Sequence, residues 1–321
     1  MAFTDLPLPE LRAHRTSSSA PDDFDARWAA TLQEARGAGG PVAAERVDTG
    51  LSLVETLDVR LPGFGGDPVA AWLHRPAGAD GPLPCVVEFV GYGGGRGLAH
   101  ERLVWAAAGY AHLVMDTRGQ GSGWSVGVTP DPAGSGPSHP GVLTRGIEDF
   151  DGFYYRRLAT DAARAVDAAR SLDVVDAERV VVAGVSQGGG LALAAAGLLD
   201  GLAGALVDVP FLCDFPRALE ITDRPPYDEV VRYLAVHRDM TDAALRTLSY
   251  VDGAHHAARA DVPVLFSVAL MDGTCPPSTV YAAYNAWAGE KDIVKYGFND
   301  HEGGGAHHVE RQLAWLRDLL G

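Results

Sequence analysis

Short apolar runs alternate along the chain with alanine-rich amphipathic stretches, and this alternation predicts strands and helices in turn. The apolar runs lie at residues 84–92, 111–121, 179–190, 202–210, 262–272 and 292–302, several closing on glycine or acidic residues. The clearest helical stretch covers residues 158–172, where apolar side chains recur on one face. Strands separated by helices are typical of βαβ units, so the pattern predicts an α/β fold with a mostly parallel central sheet flanked by helices.

Three segments depart from this alternation. Residues 57–76 predict an antiparallel hairpin that leads into the sheet, and the Gly-, Pro- and Ser-rich residues 120–155 predict a long loop excursion. Residues 210–250 predict a helical insertion that caps the edge of the sheet. We expect residues 1–321 to form a single domain, in which residues 1–50 are an N-terminal helical extension and the insertions lie near the active site.

Composition and charge narrow the class of partner. The 321 residues include 26 Lys and Arg against 42 Asp and Glu, a net charge of −16 at pH 7. An acidic surface repels a phosphate backbone and an anionic bilayer, so we expect neither nucleic acid nor membrane as a partner. The first residues lack the basic start and apolar run of a secretory signal. Cys85, Cys213 and Cys275 show no CxxC spacing, which argues against a disulfide framework. These features favour a cytoplasmic enzyme with reduced thiols.

The segment Gly184-Val185-Ser186-Gln187-Gly188 is a GxSxG pentapeptide between an apolar strand and an alanine-rich helix. This setting is required for a nucleophile elbow, a turn so tight that side chains at both glycine positions would clash. The turn presents the Ser186 hydroxyl at the carboxyl edge of the sheet. Ser186 is therefore the candidate nucleophile, and the alternative is an incidental serine in a glycine-rich turn.

A serine hydroxyl needs a base to take its proton and an acid to orient that base. In folds with this elbow the order along the chain is serine, acid, histidine. Asp272 closes one predicted strand and His301 follows the last one, so both are expected at the same sheet edge as Ser186. Asp208 is the alternative acid. We expect His307 and His308 to lie too far into the terminal helix to reach that edge.

The developing oxyanion requires two backbone N–H donors. One is expected from Gln187, which follows the nucleophile, and the other from Tyr92 in the glycine-rich loop 91–97. That loop fits neither GxGxxG nor GK[ST], so it does not indicate a phosphate site. The histidines near the C-terminus lack the i,i+4 or HxH spacing of a metal site. We therefore expect no metal and no cofactor.

Three motifs stand in order along the chain: an RGQ segment at Arg118-Gly119-Gln120, the GxSQG segment at 184–188, and an HE pair at His301-Glu302. With these motifs the sequence resembles the acetyl xylan esterases and cephalosporin C deacetylases of carbohydrate esterase family seven, which are α/β-hydrolases. One position departs from that family, since Val90 stands where a histidine often precedes the Gly-Tyr of the oxyanion loop.

The resemblance implies a serine esterase that removes acetyl groups from acetylated sugars and cephalosporin C-type esters through an acetyl-enzyme. It implies Ser186, Asp272 and His301 as the triad and assigns supporting roles to Arg118, Gln120 and Glu302. It also implies a hexameric homo-oligomer. The alternatives are an α/β-hydrolase of other specificity, such as a peptidase or another short-chain ester hydrolase, a non-catalytic binding protein on this fold, and a metal-dependent deacetylase.

Overall fold

The computed structural model describes residues 3–133 and 136–321, in which helices surround one nine-stranded sheet. The strands are β1 (Ala43–Val47), β2 (Val54–Pro62), β3 (Pro68–Pro76), β4 (Leu83–Phe89), β5 (Ala111–Met115), β6 (Val175–Val185), β7 (Gly204–Asp208), β8 (Val264–Ala269) and β9 (Lys291–Tyr296). The helices are α1 (Leu8–Ala13), α2 (Phe24–Gly37), α3 (Val104–Ala107), α4 (Tyr154–Arg170), α5 (Gln187–Leu198), α6 (Phe215–Ile221), α7 (Tyr227–Val236), α8 (Thr241–Ser249), α9 (Gly253–Ala257), α10 (Pro277–Ala286) and α11 (Gly305–Leu320).

The sheet has the strand order β1-β2-β3-β5-β4-β6-β7-β8-β9. The first three strands and the β3–β5 pair are antiparallel, whereas β5, β4, β6, β7, β8 and β9 run parallel to their neighbours. The mostly parallel α/β sheet expected from the sequence is therefore confirmed. Because parallel strands end at a common edge, the loops after β4, β6, β8 and β9 meet there.

Apolar side chains of the central strands cover both faces of the sheet, as strands buried on both sides require. Val86, Val181, Leu206 and Leu265 face the side on which α11 packs, through Leu316. Their immediate successors Val87, Val182, Val207 and Phe266 belong to the larger core on the opposite side. Successive side chains thus point to opposite faces of the sheet, and both faces are covered by a core. The strands are therefore continuous apolar runs rather than alternating apolar and polar residues.

The N-terminal extension is helical only as far as Gly37, which corrects the expectation for residues 1–50. Residues 43–47 instead form β1, paired antiparallel with β2. Four of its five residues are exposed, so no alternation of apolar and polar residues marks this edge strand. Elsewhere, residues 57–76 lie in the hairpin of β2 and β3, and three helices, α6 to α8, occupy residues 215–249. Among the residues that the structure describes, no helix has the length and apolarity to cross a bilayer.

Candidate active site

Ser186 lies in the tight turn between β6 and α5. Its φ is 60° and its ψ is −119°, a strained conformation for a residue other than glycine. A Cβ atom on Gly184 would lie 2.2 Å from the backbone of Gly188, and one on Gly188 would lie 2.1 Å from the Phe89 carbonyl oxygen. Both glycines are therefore required for β4 and α5 to approach the turn.

His301 and Asp272 lie on two neighbouring loops, which follow β9 and β8, and His301 contacts both Ser186 and Asp272. The Nε2 atom of His301 lies 2.9 Å from the Ser186 Oγ, and its Nδ1 atom lies 2.8 Å from the Asp272 Oδ2. The other oxygen of Asp272 accepts backbone N–H groups of Thr274 and Cys275, each at 2.8 Å. These bonds hold the buried carboxylate in one orientation, and they fix a tautomer in which Nδ1 carries the proton and Nε2 is free to accept one.

Asp208, the alternative acid, is engaged elsewhere. Its Oδ2 accepts a hydrogen bond of 2.7 Å from Gln312, and its Oδ1 lies 2.9 Å from His308 Nε2. His308 is buried and its Nδ1 also contacts the Tyr296 hydroxyl. The expectation that His308 lies too far into the helix to reach the sheet edge is wrong, because α11 begins directly over the end of β7. His307 is exposed.

The two expected oxyanion donors, the backbone N–H groups of Tyr92 and Gln187, donate to no other residue that the structure describes. The next amide, of Gly93, donates to the Gln120 Oε1 at 2.6 Å. The Gln120 side-chain N–H donates in turn to the Gln187 Oε1 at 2.8 Å. The Gln187 Nε2 donates to the Val90 carbonyl oxygen at 3.0 Å. Side-chain amides therefore hold the loop after β4 against the start of α5, where both donors lie.

The side chain of Tyr92 connects the oxyanion loop to the helical insertion. Its hydroxyl donates to Glu229 in α7 at 2.5 Å and accepts the Val142 backbone N–H at 2.8 Å. The other Glu229 oxygen accepts the Leu143 N–H at 3.0 Å. Burial raises the pKa of Glu229 and, together with the Glu229 charge, raises the pKa of Tyr92. Sequence reasoning missed Glu229, since nothing in α7 distinguishes this acid from a surface carboxylate.

The remaining motif residues lie around the site without touching the triad. Arg118 is fully buried and binds Asp161 through two nitrogens, at 2.5 and 2.8 Å. The Arg118 carbonyl oxygen accepts the Tyr154 hydroxyl at 2.6 Å, and Tyr154 also accepts a hydrogen bond from Gln120. Glu302 is exposed and accepts the Asn299 side-chain amide at 2.8 Å. Gln120 thus shapes the oxyanion loop and Glu302 the loop after β9, whereas Arg118 anchors the segment after β5 to α4.

A cavity of about 520 Å³ opens over Ser186, a volume in the range of small-molecule sites. It is lined by Glu88, Phe89, Gly91, Tyr92, Arg102, Trp124, Val185, Ser186, Pro225, Pro226, Thr274 and His301. Both prolines belong to the segment between α6 and α7, so the helical insertion forms part of the cavity wall.

The insertion is tied to both loops that carry the acid and the base. Arg224 donates to both oxygens of Asp300, next to His301, at 2.9 and 3.0 Å. The hydroxyl of Thr222 donates to the carbonyl oxygen of Gly273, next to Asp272. The segment between α6 and α7 thereby bridges the two loops. Within residues 3–133 and 136–321, no cluster of three or more His, Cys, Asp or Glu side chains is placed to hold a metal ion.

The family model and two solved structures that resemble this chain all carry the name acetyl xylan esterase. The profile of the acetyl xylan esterase (AXE1) family matches residues 1–319. An acetyl xylan esterase from Paenibacillus sp. R4 is 38% identical, with a TM-score of 0.92 over 98% of this chain and 100% of that one. Acetyl xylan esterase 1 from Thermoanaerobacterium sp. JW/SL YS485 is 32% identical, with a TM-score of 0.91 over 99% of this chain and 100% of that one.

A curated relative is longer than this chain. The acetyl esterase Axe7A of Xylanibacter ruminicola is 28% identical over 301 residues, which cover 91% of this chain. The match spans 66% of the relative, so that protein has a further third of sequence outside the shared part.

Proposed function

The chain belongs to the acetyl xylan esterase family, and we propose that this carboxylic ester hydrolase removes acetyl groups from acetylated sugars, including xylo-oligosaccharides. The observation that carries the proposal is the hydrogen-bonded series Ser186–His301–Asp272 beside two backbone N–H groups that donate to no other described residue. This arrangement supplies a nucleophile, a base with a fixed tautomer and an oxyanion site. That the ester is an acetyl ester and that its alcohol is a sugar are inferred from the names of the relatives.

The reaction proceeds in two halves. Ser186 Oγ attacks the acetyl carbonyl carbon while His301 Nε2 accepts the hydroxyl proton, and Asp272 stabilises the imidazolium that forms. The carbonyl oxygen becomes an oxyanion that accepts hydrogen bonds from the N–H groups of Tyr92 and Gln187. The sugar oxygen takes the proton from His301 and leaves. Water then attacks the acetyl-enzyme by the same steps and releases acetate.

Three narrower features are also part of the proposal. Cephalosporin C-type acetyl esters are further substrates, because their acetoxymethyl arm presents the same acetyl group to Ser186. The protein assembles as a hexamer, as its family resemblance implies, which light scattering of the purified protein would test. It works in the cytoplasm, consistent with three free and buried cysteines, and cell fractionation would test this.

Labelling with a serine-reactive phosphonate, followed by mapping of the adduct, tests mechanism and nucleophile together. We expect one adduct, on Ser186, and loss of 4-nitrophenyl acetate hydrolysis in proportion to labelling. A chelator is expected to leave the activity unchanged. Activity that survives complete labelling would overturn the proposal, and faster cleavage of a peptide or octanoyl ester than of an acetyl ester would favour another specificity.

A further inference from the structure

A second cavity adjoins the one over Ser186. It has a volume of about 290 Å³ and lies on the side of the sheet covered by α3 and α11. The two cavities share three lining residues, Glu88, Arg102 and Val185, which we call the shared wall. Glu302 and the glycines that follow it also line the second cavity. The two cavities are therefore neighbours on either side of the shared wall, and the shared wall bounds the space next to the triad.

The position of the shared wall matches the leaving group of the reaction. His301 delivers its proton to the leaving oxygen, so that oxygen must lie next to His301 Nε2. The second cavity is lined by residues 302–305, which follow His301 directly. An alcohol whose oxygen faces His301 thus has room to project toward the shared wall, while the acetyl carbonyl oxygen faces Tyr92 and Gln187.

Arg102 occupies the shared wall in a strained conformation. Its φ is 55°, in the left-handed region that disfavours residues other than glycine, and such strain is concentrated at functional sites. Its guanidinium forms an ion pair with Glu88 on β4, and a quarter of the side chain remains exposed. His112 Nε2 contacts the other Glu88 oxygen at 2.9 Å, and His112 Nδ1 contacts the Arg102 carbonyl oxygen at 2.9 Å. Half-buried Glu88 therefore holds the Arg102 side chain, and buried His112 holds its backbone.

Trp124 provides an apolar surface beside this guanidinium. The indole is 61% exposed, which is unusual for so large a side chain, and it lines the cavity over Ser186. Its Nε1 donates to the Tyr92 carbonyl oxygen at 2.8 Å, so the ring has a fixed orientation. The Arg102 guanidinium carbon lies 5.6 Å from the ring centre. A fixed aromatic face next to a hydrogen-bond donor matches a pyranose ring, which has an apolar face and a rim of hydroxyls.

The charges of the region do not match an anionic group. Glu88 neutralises Arg102 within the shared wall, and Glu302 adds an exposed carboxylate at the second cavity. Asp208 in the same cavity lies against His308. A carboxylate on the leaving group would meet more negative than positive charge, whereas an uncharged polyol would meet donors and acceptors only.

We propose that Arg102 and Trp124 bind the sugar leaving group, and that Glu88 and Glu302 select an uncharged sugar over an anionic leaving group such as that of cephalosporin C. This inference rests on the proposed acetylesterase function and identifies the substrate class that the same site prefers. Arg102 and Trp124 contact substrate in this assignment, whereas Glu88 positions Arg102 and sets the local charge.

The test compares three acetyl esters on the full-length protein: 4-nitrophenyl acetate, a mono-acetylated methyl xyloside and cephalosporin C. We expect Arg102→Met and Trp124→Ala to lower kcat/KM for the xyloside about tenfold or more, mainly through KM, because contacts to the leaving group are lost. The diagnostic quantity is the ratio of kcat/KM for the xyloside to kcat/KM for 4-nitrophenyl acetate, which should fall about threefold or more in both variants, since the nitrophenyl ester has no hydroxyls to bind. A general disturbance of the oxyanion loop through the lost Trp124–Tyr92 bond affects both esters and cancels in this ratio. Arg232→Met is the matched control, because Arg232 is an exposed arginine of α7 that pairs with Asp228.

Two further variants test whether the carboxylates of Glu88 and Glu302 disfavour an anionic leaving group. Glu302→Gln, at an exposed position, and Glu88→Gln should each raise the cephalosporin-to-xyloside ratio of kcat/KM about threefold or more, because a repelling charge is removed. Equal losses on all three esters in Arg102→Met would overturn the subsite, as would a wild-type preference for cephalosporin C. A wild-type enzyme that hydrolyses no acetyl ester would instead refute the proposed function, so the two failures are distinct.

Discussion

The Gln312 side-chain amide donates a hydrogen bond of 2.7 Å to Asp208, and this bond engages the carboxylate that most closely competes with Asp272 for the role of catalytic acid. Both aspartates follow neighbouring parallel strands, and the chain order serine, acid, histidine admits either one. The structure separates them, because only Asp272 contacts His301.

Asp272→Asn and Asp208→Asn form a matched pair that tests this separation. We expect Asp272→Asn to lower kcat about 10⁴-fold, because an amide favours the wrong tautomer of His301. Asp208→Asn should change kcat less than about threefold and should mainly lower stability, because it weakens the hydrogen bond that Gln312 donates to a carboxylate. Steady-state kinetics with 4-nitrophenyl acetate and thermal unfolding give both results. Equal loss of kcat in the two variants would contradict the assignment.

Ser186→Ala removes the nucleophile without adding bulk to the strained turn. We expect kcat/KM for 4-nitrophenyl acetate to fall by several orders of magnitude, about 10³-fold at least, because no acyl-enzyme can form. The unfolding temperature should stay the same or rise, since the hydroxyl contributes little to packing. Ser138→Ala, at an exposed loop position, is the control. Retention of a presteady-state burst in Ser186→Ala would rule out Ser186 as the nucleophile.

Gln120→Leu should misplace the oxyanion loop. The Gln120 side chain accepts the Gly93 N–H and donates to Gln187, so its loss removes the link between the two loops that carry the donors. We expect kcat to fall about 10- to 100-fold with KM nearly unchanged, because the interaction strengthens in the transition state. Gln312→Leu, which removes an amide bonded to Asp208, should retain most of kcat. A change in KM alone would show that Gln120 acts on substrate binding instead.

Tyr92→Phe distinguishes the backbone of Tyr92 from its side chain. The variant keeps the N–H donor but removes the hydroxyl that binds Glu229 and the Val142 N–H. We expect kcat within about tenfold of the wild type and a loss of about 1–3 kcal/mol in the free energy of unfolding, because buried polar groups lose a partner. Urea unfolding measured beside the kinetics checks this. A loss of activity as large as that of Ser186→Ala would assign chemistry to the hydroxyl.

His256 should make the protein less stable in mild acid. It is fully buried, 5.1 Å from the Phe24 ring and 5.6 Å from the Trp28 ring, with His255, Arg259 and Asp25 as its titratable neighbours. Burial, helped by the charges of His255 and Arg259, lowers its pKa to about 3. The unfolded chain has the ordinary value of about 6.5, so below that pH it binds a proton that the folded protein refuses.

Stability linked to His256 is therefore complete above pH 6.5 and is lost as the pH falls toward 3. Between pH 6.5 and 5 the loss is about 2 kcal/mol in the free energy of unfolding. Urea unfolding across this range should show it, and His256→Leu should flatten the pH dependence. An unchanged slope in that variant would place the proton linkage on other groups.

The fold and the three triad residues follow from local pattern. Strands buried on both faces appear in the sequence as apolar runs, and the residues that end these runs identify the side chains at the edge of the sheet. The α/β fold and the family are confirmed, and the structure brings Ser186, Asp272 and His301 within hydrogen-bonding distance.

Other parts depend on contacts between distant segments, and the sequence carries no local mark of them. Tyr92 and Glu229 are 137 positions apart, and their bond exists because the helical insertion folds back over the sheet. The pairing of Asp208 with His308 depends on where α11 begins relative to β7. The edge strand β1 was missed because it is mostly exposed, so its residues show no apolar alternation.

The bridge that Arg224 and Thr222 make between the two catalytic loops has a mechanical consequence. If the segment between α6 and α7 moved outward to admit a bulky polymer, it would pull on Asp300 and Gly273, the neighbours of His301 and Asp272. The movement would then break the hydrogen bonds between Ser186, His301 and Asp272. Substrate entry and catalysis thus require the same position of the segment between α6 and α7. We therefore expect esters that fit the existing opening to be hydrolysed faster than esters that require the opening to widen.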